Sequence, residues 1–151
     1  METKQNLLVL LGPTAVGKTP ISIDIAKKLN GEIISADSMQ IYKYMDIGTA
    51  KVTTEEMDNI PHYMLDIVYP DEEFTVADFK KESENYIKDI NKRGNLPIIA
   101  GGTGLYLNSI VYELKFTKVA SNEDLRQKYN NLAKTHGNQY IHDILSTIDP
   151  I

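Results

Sequence analysis

The sequence contains no cysteine and no long apolar run. Without cysteine among its 151 residues, disulfides, thiolate zinc sites and cysteine nucleophiles are excluded. The longest apolar run near the N-terminus, Leu7 to Leu11, is far shorter than the roughly 20 residues of a membrane-spanning helix. Residues 1–5 lead into this run without the apolar segment of a signal peptide. We therefore expect a cytoplasmic protein with no membrane attachment.

Paired histidines are also missing. The three histidines, His62, His136 and His142, are scattered and lack the spacing of metal ligands. We interpret each as a surface or hydrogen-bonding histidine.

An excess of positive charge is absent as well. The net charge of −5 argues against a protein that coats nucleic acid. The charge is uneven, because residues 1–114 contain 11 basic and 17 acidic groups, whereas residues 115–151 contain 5 and 4. Any surface that faces a polynucleotide is therefore expected late in the chain or beyond it.

Apolar runs alternate with helical patterns through the first two thirds of the chain. Leu7 to Leu11 is typical of a strand buried on both faces of a parallel sheet. Ile21, Ile25 and Leu29 then recur every four residues with Ala26 beside them, which predicts a helix that Asn30-Gly31 would end. Residues 32–35 predict a short second strand.

The same alternation continues after a polar, tyrosine-rich stretch. Thr75 and Asp78 indicate a helix start, and an apolar face extends to Gly94. Residues 96–100 predict a buried strand, in which Pro97 is tolerated because it stands near the start. A further helix is predicted from about Gly104. This order predicts an α/β fold: a parallel sheet with helices on both faces.

The pattern changes at about Ser121. Leu125, Tyr129 and Leu132 predict one amphipathic helix that Gly137 ends, and residues 140–148 predict a second. We expect a core of residues 1–114 and the start of a helical insertion at residues 115–151, in a chain that is part of a longer protein.

Residues 12–19 match the phosphate-binding pattern G-x-x-x-x-G-K-[ST] and stand between a predicted strand and a predicted helix. Such a loop binds phosphate through its backbone N–H groups, the helix N-terminus and the lysine, while its last hydroxyl can hold Mg²⁺. The predicted diphosphate- or nucleotide-binding residues are Gly12, Pro13, Thr14, Ala15, Val16, Gly17, Lys18 and Thr19, with Thr19 as the metal ligand. No obvious apolar run ends in the metal-binding aspartate of ATP-hydrolysing enzymes, which favours a role other than ATP hydrolysis.

Two more polar segments follow predicted strands. Asp37, in the segment 35–40, and Thr103, in the segment 101–104, should emerge at the same edge of the sheet as the phosphate loop. The alternative is a local role, in which Asp37 or Ser38 forms a turn and Thr103 caps a helix.

Several segments together resemble the tRNA dimethylallyltransferases, also called tRNA isopentenyltransferases. They are residues 12–19, 34–42, 45–51, 61–66, 74–79 and 101–106, so that the resemblance covers essentially the whole chain. The chain departs from the family at Tyr63, where a second histidine is common, and at Pro20, where a helix former is preferred.

The resemblance implies a P-loop NTPase-like fold and a prenyl transfer. A dimethylallyl group would move from dimethylallyl diphosphate to the exocyclic amine of the adenosine next to the anticodon of tRNA, with Mg²⁺ as cofactor. Asp37 and Thr103 would be catalytic, with Asp37 as the proton acceptor. The Thr103 hydroxyl, together with Lys18, the loop amides and Thr19 with Mg²⁺, would stabilise the charge on the leaving diphosphate. The tRNA-binding residues would be Asp37, Ser38, Met39, Gln40, Thr103 and, from the helical insertion, Arg126. We expect a monomer.

Three alternatives remain open from the sequence. An adenylate dimethylallyltransferase would share the core but would not need the helical residues 121–148. A small-molecule kinase would share the phosphate loop but not the segments around Asp37 and Thr103. A catalytically silent binding fragment is the third.

Overall fold

The computed structural model describes residues 5–112, 114–116 and 122–150. The strands are β1 (Leu8–Leu11), β2 (Gly31–Ala36), β3 (His62–Tyr63) and β4 (Leu96–Gly101). The helices are α1 (Lys18–Leu29), α2 (Thr54–Met57), α3 (Val76–Lys92), α4 (Gly104–Val111), α5 (Glu123–His136) and α6 (Asn138–Ile148). The chain divides into two compact units, Met1–Phe116 and Thr117–Ile151. The change of pattern predicted at Ser121 lies outside the described residues.

The first unit is built on a four-stranded sheet in the order β1-β4-β2-β3. Every pairing is parallel, with Leu8 beside Ile98 and Ile33 beside both Ile98 and His62. The predicted parallel sheet is confirmed. The two-residue strand β3 was not predicted, because a strand of that length leaves no periodic pattern in the sequence.

Helices cover both faces of this sheet, as predicted. On one face α1 packs Ile23 and Ala26 against Ile33 and Ile98. On the other face, α3 and α4 form a larger apolar cluster with strand residues and with Met64, which follows β3. Its buried members are Ile34, Ala36, Met64, Phe79, Ile87, Ile90, Ile99, Tyr106 and Leu107. Because side chains alternate along a strand, the isoleucine pairs at 33–34 and 98–99 each supply both faces.

The helix α1 is confirmed, and so is part of its predicted apolar face, because Ala26 is buried and Ile25 packs against the core. Ile21 and Leu29 are about half exposed, and the buried residues are Ser22, Ile23 and Ala26. The Ser22 hydroxyl donates to the Thr19 carbonyl at 2.8 Å, so its burial leaves no polar group unpaired. Small side chains on this face let the helix approach the sheet closely.

The helix α1 ends at the predicted position, Asn30-Gly31, but the glycine is not the residue that ends it. Asn30 itself takes the left-handed conformation that ends α1, with φ of 51°. Gly31 is the first residue of β2, and a Cβ there would lie 2.6 Å from Ile98 Cδ1. A side chain at this position would have to displace Ile98, so glycine favours the close packing of the neighbouring strands.

The start of α3 matches the prediction. The Thr75 hydroxyl accepts from the Asp78 N–H at 3.3 Å, and the Asp78 carboxylate accepts from the Thr75 N–H at 2.9 Å. Phe79, Ile87 and Ile90 on the predicted apolar face are buried.

β4 is the central connection of the sheet, because it pairs with both β1 and β2. Pro97 is its second residue, and pairing with β1 begins only at Ile98, which fits the expectation that this proline is tolerated near the strand's start. At the other end, a Cβ on Gly101 would lie 2.2 Å from the Ala36 carbonyl oxygen. Only glycine lets β4 and β2 remain this close where the functional loops begin.

A buried carboxylate lies at the opposite, amino-terminal end of β2. Glu32 is only 2% exposed and accepts from Arg93 Nη1 at 2.5 Å, Asn95 Nδ2 at 2.6 Å and the Tyr63 hydroxyl at 2.6 Å. Burial alone would raise the pKa of Glu32, but the hydrogen bonds from Tyr63, Asn95 and Arg93 outweigh it and hold the pKa below 4.5. The ionised carboxylate of Glu32, in β2, is therefore hydrogen-bonded both to β3 and to the turn after α3.

The second unit contains α5 and α6, which pack on each other as the predicted helical hairpin. The Asn122 side chain accepts from the Leu125 N–H at 2.9 Å and so caps α5. Gly137, with φ of 86°, ends α5 and precedes α6.

Within the described ranges, no helix has both the length and the apolarity needed to cross a membrane.

Replacing Gly101 with alanine should destabilise the protein by about 3 kcal/mol or more, since the new Cβ would collide with backbone that has no room to move. Gly104→Ala is the matched control, because no atom lies within 4 Å of its added Cβ. Denaturant unfolding followed by circular dichroism measures both. Equal stability of the two variants would contradict the close approach at Gly101.

Replacing Glu32 with glutamine should destabilise the protein in a pH-dependent way. A lowered pKa means that ionised Glu32 contributes stability above pH 4.5 and that this contribution is lost as the pH falls through the lower folded pKa. The difference in melting temperature between parent and variant should therefore be full at neutral pH and shrink in acid. Asp89→Asn is the control, because this partner of Arg93 is 66% exposed and a surface pair contributes little. A pH-independent difference for Glu32→Gln would refute this account.

Candidate active site at the carboxyl edge of the sheet

The phosphate-loop sequence folds between β1 and α1, as its pattern predicts. Ala15 and Gly17 adopt positive φ angles of 67° and 82°, and α1 begins at Lys18. Lys18 Nζ donates to the Pro13 carbonyl at 2.7 Å, so the lysine lies along its own loop. No carboxylate of the described residues is within salt-bridge distance of Lys18. A helix N-terminus and an uncompensated cation at one place favour an anionic ligand.

The loop after β2 brings Asp37 to the same edge. Asp37 Oδ1 accepts from the Met39 N–H at 2.9 Å, a local turn of the kind that the alternative interpretation required. No cation in the described part of the chain forms a salt bridge with this carboxylate. One hydrogen bond fixes the orientation of Asp37 without neutralising it.

The loop after β4 connects directly to the loop after β2. Thr103 precedes α4, but its side chain does not cap that helix. Thr103 Oγ1 instead accepts from the Ser38 N–H at 3.0 Å and lies 3.4 Å from Ser38 Oγ. The Thr103 N–H also donates to the Ala36 carbonyl at 3.1 Å. The interpretation of Thr103 as a side-chain cap is therefore wrong, and the two loops are held together.

Gln40 lies deeper in the same region, with both ends of its amide bonded. Its Oε1 accepts from Ser35 Oγ at 3.1 Å, and its Nε2 donates to the Thr49 carbonyl at 3.1 Å. Met39 is 45% exposed beside it. Gln40 therefore has a clear role in holding the loop, while the predicted contacts of Ser38, Met39 and Gln40 with an adenine stay predictions.

Two cavities adjoin at this edge. The first, of about 360 Å³, lies over the phosphate loop and includes Lys18, Thr19 and His62 in its lining. The second, of about 930 Å³, includes Met39 and Thr103. The two share five lining residues: Thr14, Asp37, Thr49, Ala50 and Gly102. Asp37 thus stands between a compartment suited to an anion and a larger one suited to a second ligand.

His62 is a lining residue of the first cavity that sequence reasoning did not place there. Its Nδ1 is 2.8 Å from the Ile60 carbonyl, which confirms the hydrogen-bonding interpretation. Burial lowers the pKa of His62, although the bond to the Ile60 carbonyl opposes this. The sequence around His62 has no metal-binding spacing that would have singled it out. It reaches the cavity because it lies in the two-residue strand β3.

The lining of the first cavity fits a magnesium ion that the protein and a bound phosphate hold together. No group of three acidic or histidine side chains that could hold a metal occurs within the described ranges. Mg²⁺, however, is commonly held by one or two protein oxygens, substrate phosphates and water. Thr19, the predicted metal ligand, lines the first cavity and supplies a hydroxyl oxygen of that kind.

Arg126 lies in the second unit, on α5. Its side chain is 70% exposed, and its Nε is 3.8 Å from Glu123 Oε1 one turn earlier. Its predicted contact with tRNA stays a prediction.

The sheet, the strand-loop-helix phosphate site and its neighbouring loops define a P-loop-type α/β protein. Residues 40–151 match the model of the IPP transferase family. The chain is 56% identical over 144 residues to the tRNA dimethylallyltransferase of Thermoanaerobacter sp. (strain X514), covering 95% of this chain and 46% of that protein. It is 58% identical over 145 residues to the enzyme of the same name from Acetivibrio thermocellus, covering 96% and 46%.

A solved structure agrees with these relatives. The crystal structure of a tRNA isopentenylpyrophosphate transferase from Bacillus halodurans superposes with a TM-score of 0.75 and 49% identity, over 97% of this chain and 48% of that one. The chain belongs to the tRNA dimethylallyltransferase family. It spans about half the length of the curated relatives that it matches.

Replacing Lys18 with methionine should weaken binding of inorganic diphosphate in the presence of Mg²⁺ by on the order of tenfold or more, because the cation at the phosphate loop is lost. Calorimetry on the full-length protein measures this. Lys28→Met is the control, since Lys28 is an exposed lysine at the far end of α1. If the two variants bind diphosphate with equal affinity, the diphosphate does not bind at this loop.

Proposed function

We propose that the full-length protein transfers a dimethylallyl group from dimethylallyl diphosphate to the exocyclic amine of the adenosine next to the anticodon of tRNA. The observation that carries this proposal is the place of Asp37, which lines both the cavity over the phosphate loop and the larger cavity beside it. The named activity of relatives at 56–58% identity supports it.

The diphosphate of the donor binds over the phosphate loop. Departure of diphosphate from an allylic carbon places negative charge on the leaving oxygens, and Lys18 and the N-terminus of α1 stabilise that charge. Mg²⁺, held by Thr19 and the diphosphate, would neutralise more of it when bound. Apolar residues of the same cavity, such as Val52 and Leu65, exclude water from the allylic group.

The acceptor adenine occupies the second cavity. An adenine inside a stacked loop is out of reach, so the nucleotide must leave its stack to enter. Its exocyclic amine is a weak nucleophile because the lone pair is delocalised into the ring, and a proton acceptor beside it assists attack. Asp37 takes that proton as the new N–C bond forms and the C–O bond to diphosphate breaks.

Thr103 positions this proton acceptor. Its hydroxyl oxygen accepts from the backbone N–H of Ser38, the residue that follows Asp37, and so ties the loop after β2 to the loop after β4. Thr103 also lines the second cavity, where it contacts the acceptor. Because tRNA is the acceptor, we expect a cytoplasmic protein.

A labelling assay tests the function. The full-length protein is incubated with labelled dimethylallyl diphosphate and Mg²⁺ together with undermodified tRNA, AMP or ATP. We expect label on tRNA alone. Label on AMP or ATP would make the protein a dimethylallyltransferase of free adenine nucleotides, and label on none of the three acceptors would refute prenyl transfer.

Replacing Asp37 with asparagine should lower the rate of transfer by roughly 100-fold or more, because the proton acceptor is lost. Asparagine keeps the oxygen that accepts from the Met39 N–H, so the turn and diphosphate binding should persist. Asp24→Asn, on the exposed side of α1, is the control. Equal losses of transfer and diphosphate affinity in Asp37→Asn would assign Asp37 to binding instead.

A further inference from the structure

Most of the wall of the second cavity is a single irregular segment, residues 42–51, which we call the cavity loop. Every residue from Tyr44 to Ala50 lines the second cavity, and only Thr49 and Ala50 also line the first. The segment contains no helix and no strand, and its only β-type pairing is an isolated bridge between Tyr42 and Val68. Its shape must therefore come from side-chain and turn hydrogen bonds.

Lys51 provides the largest set of these bonds. Its Nζ donates to the Tyr42 carbonyl at 2.8 Å, to Asp46 Oδ1 at 2.7 Å and to Asp66 Oδ1 at 2.6 Å. Its side chain is only 5% exposed, whereas those of Asp46 and Asp66 are 63% and 50% exposed. All three protons of the ammonium are used, and they join the start and middle of the cavity loop to a neighbouring segment.

The ammonium stays charged in this position. Burial alone would lower the pKa of Lys51, but the carboxylates of Asp46 and Asp66 outweigh burial and raise it above its ordinary value.

The backbone around Lys51 does not favour this shape by itself. Tyr44 and Ala50 in the cavity loop adopt φ angles of 66° and 47°, and Met64 and Asp66 in the neighbouring segment adopt 64° and 53°. Side chains with a Cβ are sterically disfavoured in this left-handed region. Such a conformation persists only where surrounding bonds hold it.

We propose that Lys51 is a positioning residue for the acceptor substrate, acting by holding Tyr44 to Ala50 as a fixed wall of the second cavity. In the described structure Lys51 itself lines neither cavity, so it acts through the residues that it fixes. This inference rests on the proposed function, because it assumes that the acceptor nucleotide occupies the second cavity.

The test replaces Lys51 with methionine, which keeps the length and loses the three bonds. The KM for tRNA should rise by on the order of tenfold, because a displaced wall misplaces the acceptor, while the KM for dimethylallyl diphosphate stays within about twofold. Lys80→Met is the matched control. Lys80 is another largely covered lysine, 19% exposed and paired with Glu84 on α3, and its loss should leave both KM values unchanged.

A second substitution examines the bond network. Asp66→Ala, outside both cavities, should raise the KM for tRNA in the same direction, and the double variant should be less than additive because the two side chains form one unit. Full additivity, or a loss of stability in Lys51→Met with an unchanged KM for tRNA, would overturn the inference.

Hydrogen–deuterium exchange separates this inference from the proposed function. Amides of residues 42–51 should exchange faster in Lys51→Met than in Lys80→Met, and unchanged exchange would overturn the positioning role. If the parent protein transfers no label to tRNA, the proposed function fails, and the exchange result alone decides whether Lys51 fixes the cavity loop.

Discussion

The structure depends on the parallel pairing of β4 with both β1 and β2. This pairing places the carboxyl ends of three strands side by side, so that the loops beginning at Gly12, Asp37 and Gly102 meet at one edge. The approach is tightest at Gly101, where the backbone of β2 leaves no room for a side chain. A shift of β4 by one residue would turn Ile98 and Ile99 to the wrong faces, so the two apolar clusters hold the register that the site requires.

The sequence predicts this architecture because its signals are local. A continuous apolar run, a glycine-rich turn and a capped amphipathic helix each indicate one element, and their order predicts a parallel sheet. The face of α1 was not predictable in the same way. Large residues at Ile21 and Leu29 suggested an inner face, but the buried face holds Ser22 and Ile23 together with the predicted Ala26. Nothing in a helical period distinguishes these cases.

The site was predictable at its strand ends and not elsewhere. Asp37 and Thr103 follow buried strands, and topology alone brings them together. The positions of His62 and Lys51 near the cavities depend on the irregular segment between β2 and α3. The course of the backbone there is determined by turns that contain residues in the left-handed conformation. Such a path leaves no periodic pattern, because each turn is stabilised by contacts with residues distant in sequence, such as that of Lys51 with Asp66.

One carboxylate lies in β2 and another directly after its end, and the contrast between their surroundings agrees with the role proposed for Asp37. Glu32, before the middle of the strand, is buried and fully engaged by Arg93, Asn95 and Tyr63, so its charge stabilises the fold and is closed to solvent. Asp37, just past the end of the strand, is fixed by one backbone N–H and faces two cavities. A carboxylate neutralised by arginine is a poor proton acceptor, because a proton would displace a favourable ion pair. The arginine at the far end of β2 thus stabilises the strand without interfering with the carboxylate at the cavity junction.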